Sequence, residues 1–185
     1  MHVNQEPMLV QRAQNGDLNA IGALYDQHHQ PIFRFIWSRV QDPVVAEDLT
    51  GELFTRMVTS LPHYRANGVP FRAWLYRIAR NLITDHHRKY GGQQFVEITQ
   101  TADLSTEEDD PMQLIETKLT VERVQRALEH IDPAQREVVE LRFLAGLSLH
   151  EAAETLDKTV AAVKSLQHRG LKALRGSLLN LEVEA

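Results

Sequence analysis

The chain has 185 residues, no Cys and a formal net charge of −5. This length fits one large domain or two small ones, and the absence of Cys excludes disulfides, iron–sulfur clusters and thiol catalysis. No apolar run reaches the length of a transmembrane helix, and residues 1–10 lack a signal-peptide pattern. We therefore expect a cytoplasmic protein without membrane insertion.

Apolar residues recur at three- and four-residue spacings along nearly the whole chain, which predicts an all-α protein. The predicted helices of the first part cover about residues 8–14, 17–40, 42–61 and 71–89. Asp17 should cap the second helix, and Pro31 should kink or split it. Asp42 should cap the third helix, with Pro43 at its first position.

Residues 91–112 are rich in Gly, Gln, Thr, Ser, Asp and Glu, and they show little periodicity, which predicts a flexible acidic linker. The chain then divides into two small helical domains, over residues 1–90 and 113–178. A tail over residues 179–185 follows, and its end should fray. The predicted helices of the second domain cover about residues 113–130, 133–145, 148–156 and 160–178.

The charge is segregated along the chain. Residues 56–89 contain seven basic residues and one acid, whereas residues 91–118 contain seven acids and one base. Residues 158–175 contain five basic residues and no acid. Two basic segments separated by an acidic one indicate a nucleic-acid binder, although the total charge taken alone argues against it.

The second domain contains a helix-turn-helix pattern. Ser148 and Glu151 form a capping box, the short helix that they begin ends at Leu156, and Thr159 caps a long basic helix after a tight turn. One stripe of the long helix should face the core: Val160, Val163, Gly170, Leu171, Leu174 and Leu178. The other face is small and then polar, which suits a DNA groove: Ala161, Ala162, Ser165, His168, Arg169 and Lys172.

The helix over residues 71–89 has a similar division. An apolar stripe that should face the core consists of Phe71, Trp74, Leu75, Ile78 and Leu82. Arg72, Tyr76 and Arg80 follow one another at four-residue spacing on another face. Aromatic rings among cations suit unpaired bases, since rings stack on bases and cations hold phosphates.

Four stretches, in this order, resemble the motifs of bacterial sigma factors of the extracytoplasmic-function branch of the sigma-70 family. Residues 42–54 resemble the helix that binds core RNA polymerase, and residues 71–88 resemble the −10 region. Residues 136–143 and 146–154 resemble the first part of the −35 domain, and residues 163–169 resemble its recognition helix. Asp157 takes the turn position at which these sigma factors usually have Gly.

The resemblance implies a non-catalytic subunit that binds core RNA polymerase and directs promoter recognition and transcription initiation. Its partners would be the polymerase, promoter DNA and an anti-sigma factor, and it would need no cofactor or metal. The first domain would be sigma region 2, which binds the polymerase and the −10 element. The second would be sigma region 4, a helix-turn-helix domain that binds the −35 element.

Site residues are implied by position. The polymerase-binding residues would be Glu47, Asp48, Leu49, Glu52 and Phe54. The −10 DNA-binding residues would be Tyr64, Arg65, Asn67, Arg72, Arg77, Arg80, Asn81, Arg88 and Lys89, with residues 64–70 forming the loop that captures a flipped base. The −35 DNA-binding residues would be Arg142, Ala161, Ala162, Lys164, Ser165, His168, Arg169 and Lys172.

Three other readings remain open at this point. A stand-alone helix-turn-helix regulator would account for residues 113–178, but not for residues 42–54 or for the basic cluster over residues 56–89. A metal-dependent enzyme is suggested by nine His, including two adjacent pairs. Adjacent helical residues point about 100° apart, so such a pair cannot chelate one inward-facing ion. The third is a module that binds only proteins.

Overall fold

The computed structural model describes residues 6–66, 68–90 and 123–183, and all regular secondary structure in these ranges is helical. The predicted all-α fold is therefore confirmed. The linker predicted over residues 91–112 lies outside the described residues, as does the start of the helix predicted over residues 113–130. Among the helices in these ranges, none is long and apolar enough to cross a membrane.

The first unit begins with one short helix, and two long helices follow it. Its described elements are α1 (Glu6–Gln14), α2 (Leu18–Val40), α3 (Pro43–Ser60), a 3₁₀ turn (Leu61–His63) and α4 (Phe71–Tyr90). The predicted caps are confirmed, since the carboxylates of Asp17 and Asp42 each accept two N–H groups from the helix that follows. These contacts satisfy backbone donors that the start of a helix leaves unpaired.

Pro31 does not split α2, which continues from Leu18 to Val40. A proline in a helix interior removes one backbone hydrogen bond and costs about 3 kcal/mol. Ile32, Phe35 and Ile36 follow it and are fully buried in the core. Burial of a large apolar side chain is worth about 1.5–3 kcal/mol, so tertiary packing on the C-terminal half of α2 outweighs the loss.

The second unit differs in detail from the expected helices. Its described elements are α5 (residues 123–129), α6 (Pro133–Val139), a π-helical turn (Glu140–Leu144), α7 (Leu149–Leu156) and α8 (Val160–Val183). The helix predicted over residues 133–145 thus changes to π-helical geometry at Glu140. The tail predicted to fray is helical as far as Val183, because residues 177–183 contain no Gly or Pro to end α8.

The apolar stripe of α8 is narrower than the sequence pattern predicts. Val163 is fully buried and Gly170 is buried, but Val160 and Leu171 are each 39% exposed, so their predicted place in the core is wrong. Helix α8 packs against α6 and α7. Helix α8 approaches α6 at Gly170, and the next residue, Leu171, is turned about 100° away from it around the helix. Val160 is the first residue of α8.

The two units share one continuous apolar core. Leu141 and Leu156 of the second unit belong to the same buried cluster as Leu24 and Phe35 of the first. Helix α4 packs against α7, and α2 packs against the π-helical turn. The second unit therefore docks on the first through the helix that carries the predicted −10 residues.

Gly170→Ala should destabilise the chain, because a Cβ there would lie 2.8 Å from Cγ2 of Val139 and 3.1 Å from the carbonyl oxygen of Gln135. Overpacking costs about 1–3 kcal/mol and the gain in helix propensity is about 1 kcal/mol, so we expect a net loss of about 1 kcal/mol in urea denaturation. Gly176→Ala is the matched control. A Cβ at Gly176 meets no heavy atom within 4 Å, so this variant should gain stability. Equal gains in both variants would contradict the close approach of α8 to α6.

Candidate nucleic-acid interface

The helix-turn-helix is built by reciprocal local hydrogen bonds. The Glu151 backbone N–H donates to Ser148 Oγ at 3.1 Å, and the Ser148 N–H donates to the Glu151 carboxylate at 2.7 Å, which confirms the predicted capping box. Asp157 ends α7 with φ 53° and ψ 48°, a left-handed conformation that Asp tolerates better than most residues other than Gly and Asn. The turn is therefore formed without the glycine usual at this position.

The structure leaves the predicted −35 face of α8 open to solvent. All seven predicted residues on this helix are exposed: Ala161, Ala162, Lys164, Ser165, His168, Arg169 and Lys172. The segment over residues 158–175 has no acidic residue to neutralise them. Small residues in the first turn and cations in the next turns form a surface that can approach a major groove and hold phosphates.

Arg142, the remaining predicted −35 residue, is engaged inside the second unit. Its Nε donates to the Gln167 side-chain oxygen at 2.9 Å, and its Nη1 donates to the Leu147 carbonyl oxygen. The guanidinium also lies 6.0 Å from the centre of the Phe143 ring. Arg142 therefore holds the loop before α7 against α8.

The predicted −10 residues on α4 fall into two groups. Arg72, Arg77 and Arg80 are half-buried, whereas three residues of the set are exposed: Asn81, Arg88 and Lys89. Arg88 pairs with Asp85 at 3.1 Å, and the Lys89 ammonium lies 5.1 Å from the centre of the Tyr90 ring. The exposed group lies in the C-terminal half of α4, toward the end of the helix.

Tyr76 cannot stack on an unpaired base, so that prediction is wrong. The side chain is 1% exposed and packs edge to face on Phe35 with ring centres 5.1 Å apart. Burial raises the pKa of its phenol well above the ordinary value. A position next to Leu75 lies at the edge of the apolar stripe, and the sequence does not show on which side of that edge an aromatic residue falls.

The loop after the 3₁₀ turn is closed by an aromatic cluster. Tyr64 is buried, and its hydroxyl donates to the Val69 carbonyl oxygen at 2.7 Å. Its ring centre lies 4.9 Å from that of the half-buried Trp74. Arg65 is exposed and donates to the Tyr64 carbonyl oxygen at 3.1 Å, while Asn67 lies outside the described residues. The buried Tyr64 side chain therefore stabilises the conformation of this loop.

The predicted polymerase-binding surface on α3 is acidic, and aromatic rings pack beneath it in the first unit. Three predicted acids of α3 are exposed: Glu47, Asp48 and Glu52. Leu49, on the same helix, is half-buried. Phe54 is buried, and its ring centre lies 4.7 Å from that of Tyr25 and 6.1 Å from that of His29. Phe54 thus supports this surface from within the first unit.

A cluster of charged residues between the units was missed by sequence reasoning. Arg39 of α2 pairs with Glu137 at 3.1 Å and with Glu140 at 2.7 Å. Arg136 also pairs with Glu140 at 2.7 Å, and Arg80 of α4 pairs with Glu137 at 2.7 Å. Glu140 is fully buried, and this burial raises the pKa of its carboxyl while Arg39 and Arg136 lower it. No local motif marks this cluster, because Arg39 and Glu137 are 98 positions apart.

In residues 6–66, 68–90 and 123–180, no three His, Cys, Asp or Glu side chains converge as a metal site would require. The positions of His28, His29, His86 and His87 are instead explained by ring packing and ion pairs.

Two helical units, the second with a helix-turn-helix and an open basic face, define a helix-turn-helix protein. The family model described as Sigma-70 region 2 matches residues 24–92, and the one described as Sigma-70, region 4 matches residues 127–176. The chain is 37% identical over 166 residues to the ECF RNA polymerase sigma factor BldN of Streptomyces coelicolor. The aligned region covers 90% of this chain and 63% of BldN. The chain belongs to the sigma-70 family, in its extracytoplasmic-function (ECF) branch. It spans less than two thirds of the length of BldN.

Two solved structures share the fold. One is that of CnrH in complex with the cytosolic domain of CnrY, with a TM-score of 0.74 and 24% identity, covering 98% of this chain and 100% of the matched chain. The other is that of the sigma factor RpoE in complex with the anti-sigma factor NepR from Bartonella quintana. Its TM-score is 0.66 at 19% identity, and it covers 85% of this chain and 95% of the matched chain.

Glu140→Gln should change how stability depends on pH. Because burial raises the pKa of Glu140 above its ordinary value of 4.5, folding takes up a proton between the unfolded and the folded pKa. The stability of the wild type relative to Glu140→Gln should therefore be greatest below pH 4.5 and should fall as pH rises through the folded pKa. Urea denaturation of both proteins from acid to neutral pH measures the difference, and parallel pH profiles would contradict it.

Proposed function

We propose that this chain is a sigma factor that binds core RNA polymerase and directs it to the −10 and −35 elements of promoters. The observation that carries the proposal is the open face of α8 in an intact helix-turn-helix. Membership of the sigma-70 family supports it, since regions 2 and 4 both match. The protein would act as an initiation factor and would not itself catalyse a reaction.

We assign the −35 element to α8 and the −10 element to α4 together with the loop over residues 64–70. The acidic surface of α3 is assigned to the polymerase. The domains would be residues 1–90 and 113–178, joined by a linker over residues 91–112. Five of the six exposed cations on α4 and α8 would contact DNA: Arg88, Lys89, Lys164, Arg169 and Lys172.

A stand-alone helix-turn-helix regulator is not favoured. It would need only the second unit, and it would leave the match of residues 24–92 to Sigma-70 region 2 without a function. Run-off transcription with purified core polymerase on a library of genomic promoters tests the choice. Promoter-specific transcripts that require the added chain support the sigma factor, and DNA binding without any such transcripts would favour the regulator.

We also propose an anti-sigma factor as a partner. The RpoE structure contains an anti-sigma factor, NepR, with a sigma factor of the same fold. In this chain, the acidic surface of α3 and the basic face of α8 are both exposed, so a partner that covered either one would block a step of initiation. Polymerase and promoter DNA as partners would place the protein in the cytoplasm.

Reversing two charges on α3 should abolish holoenzyme assembly. Asp48 and Glu52 are exposed, so Asp48→Lys/Glu52→Lys should leave helicity by circular dichroism unchanged while replacing attraction to a basic polymerase patch by repulsion. Co-elution with core polymerase is the measurement. Asp26→Lys, at another exposed acid, is the control and should still co-elute. Normal co-elution of the double variant would overturn the assignment of α3.

Arg169→Ala distinguishes base recognition from phosphate binding. If Arg169 contacts a base edge, its loss should cost about 1–3 kcal/mol at a specific promoter and little at other DNA. The affinity of the holoenzyme is measured for a promoter and for the same promoter with a scrambled −35 element. An equal loss on both DNAs would instead assign Arg169 to a phosphate.

A further inference from the structure

The loop over residues 64–70 is held at its base by a side chain of α1. Gln14 Nε2 donates to the Leu61 carbonyl oxygen at 3.0 Å and to the Tyr64 carbonyl oxygen at 2.8 Å. A side-chain amide nitrogen carries two N–H donors, so these two contacts use both. Gln14 therefore ties α1 to the 3₁₀ turn and to the first residue of the loop, which lie 47 and 50 positions further along the chain.

The far end of the loop is fixed through the same tyrosine. Tyr64 Oη donates to the Val69 carbonyl oxygen at 2.7 Å, so the carbonyl group and the side chain of one residue connect the base of the loop to its end. Gly68 has φ 83°, which Gly adopts without steric cost, and its N–H donates to the Ala66 carbonyl oxygen at 2.7 Å. The backbone of the loop is thus constrained at both ends and at Gly68.

Tyr64 also places the loop against the aromatic residues at the start of α4. Its ring centre lies 5.7 Å from that of Phe71 and 4.9 Å from that of Trp74. Tyr64 and Phe71 are buried, whereas Trp74 is half-buried and keeps part of its ring in solvent. A shift of the Tyr64 backbone would therefore move the loop and change the surroundings of Trp74 together.

The Tyr64 carbonyl oxygen accepts a second hydrogen bond, from a predicted DNA-binding residue. Arg65 Nη1 donates to this oxygen and to the Pro62 carbonyl oxygen, at 3.1 Å each. Arg65 is exposed and Gln14 is half-buried, so the guanidinium can exchange these carbonyl groups for DNA while the amide stays in place. Gln14 then keeps the Tyr64 carbonyl group paired, and an unpaired buried carbonyl group would be unfavourable.

We infer that Gln14 is a positioning residue for base capture, which holds the loop over residues 64–70 in the shape that receives a flipped base of the −10 element. The inference rests on the proposed function, because it takes this loop as part of the −10 surface. A loop that already has its bound shape loses less conformational freedom when it binds. Gln14 acts through the loop, so it should affect recognition of the −10 element and leave recognition of the −35 element unchanged.

Gln14→Met against Gln11→Met tests this in the holoenzyme. Both replace an amide of α1 by a thioether of similar length that cannot donate, and Gln11 is exposed. Affinity is measured for a promoter found by run-off transcription, for its single-base −10 variants and for its −35-scrambled form. Gln14→Met should lower −10 discrimination about tenfold if the competent fraction of the loop falls tenfold, with −35 discrimination kept. Gln11→Met should keep both. A merely structural defect would weaken binding to all these DNAs alike, and that result would overturn the inference.

Gln14→Lys tests whether the donated hydrogen bonds are what matters. The Lys ammonium restores N–H donors at this position, so discrimination at the −10 element should recover most of what Gln14→Met loses. Gln11→Lys adds the same charge to α1 away from the loop carbonyl groups, and it measures what the charge alone does to DNA binding. Discrimination in Gln14→Lys as low as in Gln14→Met would overturn the role of the two hydrogen bonds.

Acrylamide quenching of tryptophan fluorescence reports on the loop in the free chain, without DNA. The two Trp of the chain are Trp37, which is buried, and Trp74, whose ring packs on Tyr64. Release of the loop in Gln14→Met should expose Trp74 and raise quenching above that of the wild type and of Gln11→Met. Unchanged quenching in Gln14→Met would overturn the inference. Failure of the wild-type holoenzyme to select any promoter would refute the proposed function, and with it the role in base capture, whatever the quenching shows.

Discussion

The buried carboxylate of Glu140 is the constraint on which the arrangement of the two units depends. A carboxylate at this depth must be paired, because an uncompensated buried charge costs about 3–5 kcal/mol once its partner is removed. Arg136 of the same unit supplies one cation at 2.7 Å, and Arg39 of the first unit supplies the other at the same distance. The second unit therefore gains a second cation beside its own buried acid only when it docks on α2. Docking there brings Glu137 within reach of Arg80, and the end of α7 then meets α4.

The closed arrangement also explains how an acidic protein can carry strongly basic helices. The acids that lie far from α4 in the sequence come back to it in space, as the pairs of Arg77 with Glu154 and of Arg80 with Glu137 show. The half-exposed arginines are thus neutralised within the chain, while the cations of α8 remain in solvent. Charges that are segregated along the sequence are therefore neutralised on the paired face of α4. The exposed face of α8 keeps its positive potential.

Local features of the fold could be predicted from the sequence, and distant ones could not. The caps at Asp17, Asp42 and Ser148 were predictable because donor and acceptor lie within three residues. The open face of α8 followed from helical periodicity. Burial of Tyr76 was missed because packing on Phe35 of α2 contributes to it, and the periodicity of α4 carries no information about that neighbour. The pairing of Arg39 with Glu137 was missed because 98 positions separate the two residues. Assignments of single residues to polymerase and DNA remain predictions.

The contact between the units combines charged and apolar groups. Apolar residues of similar volume in place of a buried ion-pair cluster often increase stability, so charged pairs are a poor choice for a permanent interface. An arginine that leaves a carbonyl oxygen regains water or finds a phosphate, whereas an apolar surface that opens meets only water. Leu156 and Leu141 add an apolar part to the contact and set a cost for opening. The contact is therefore held both by apolar burial and by guanidinium groups bound to carbonyl and carboxylate oxygens.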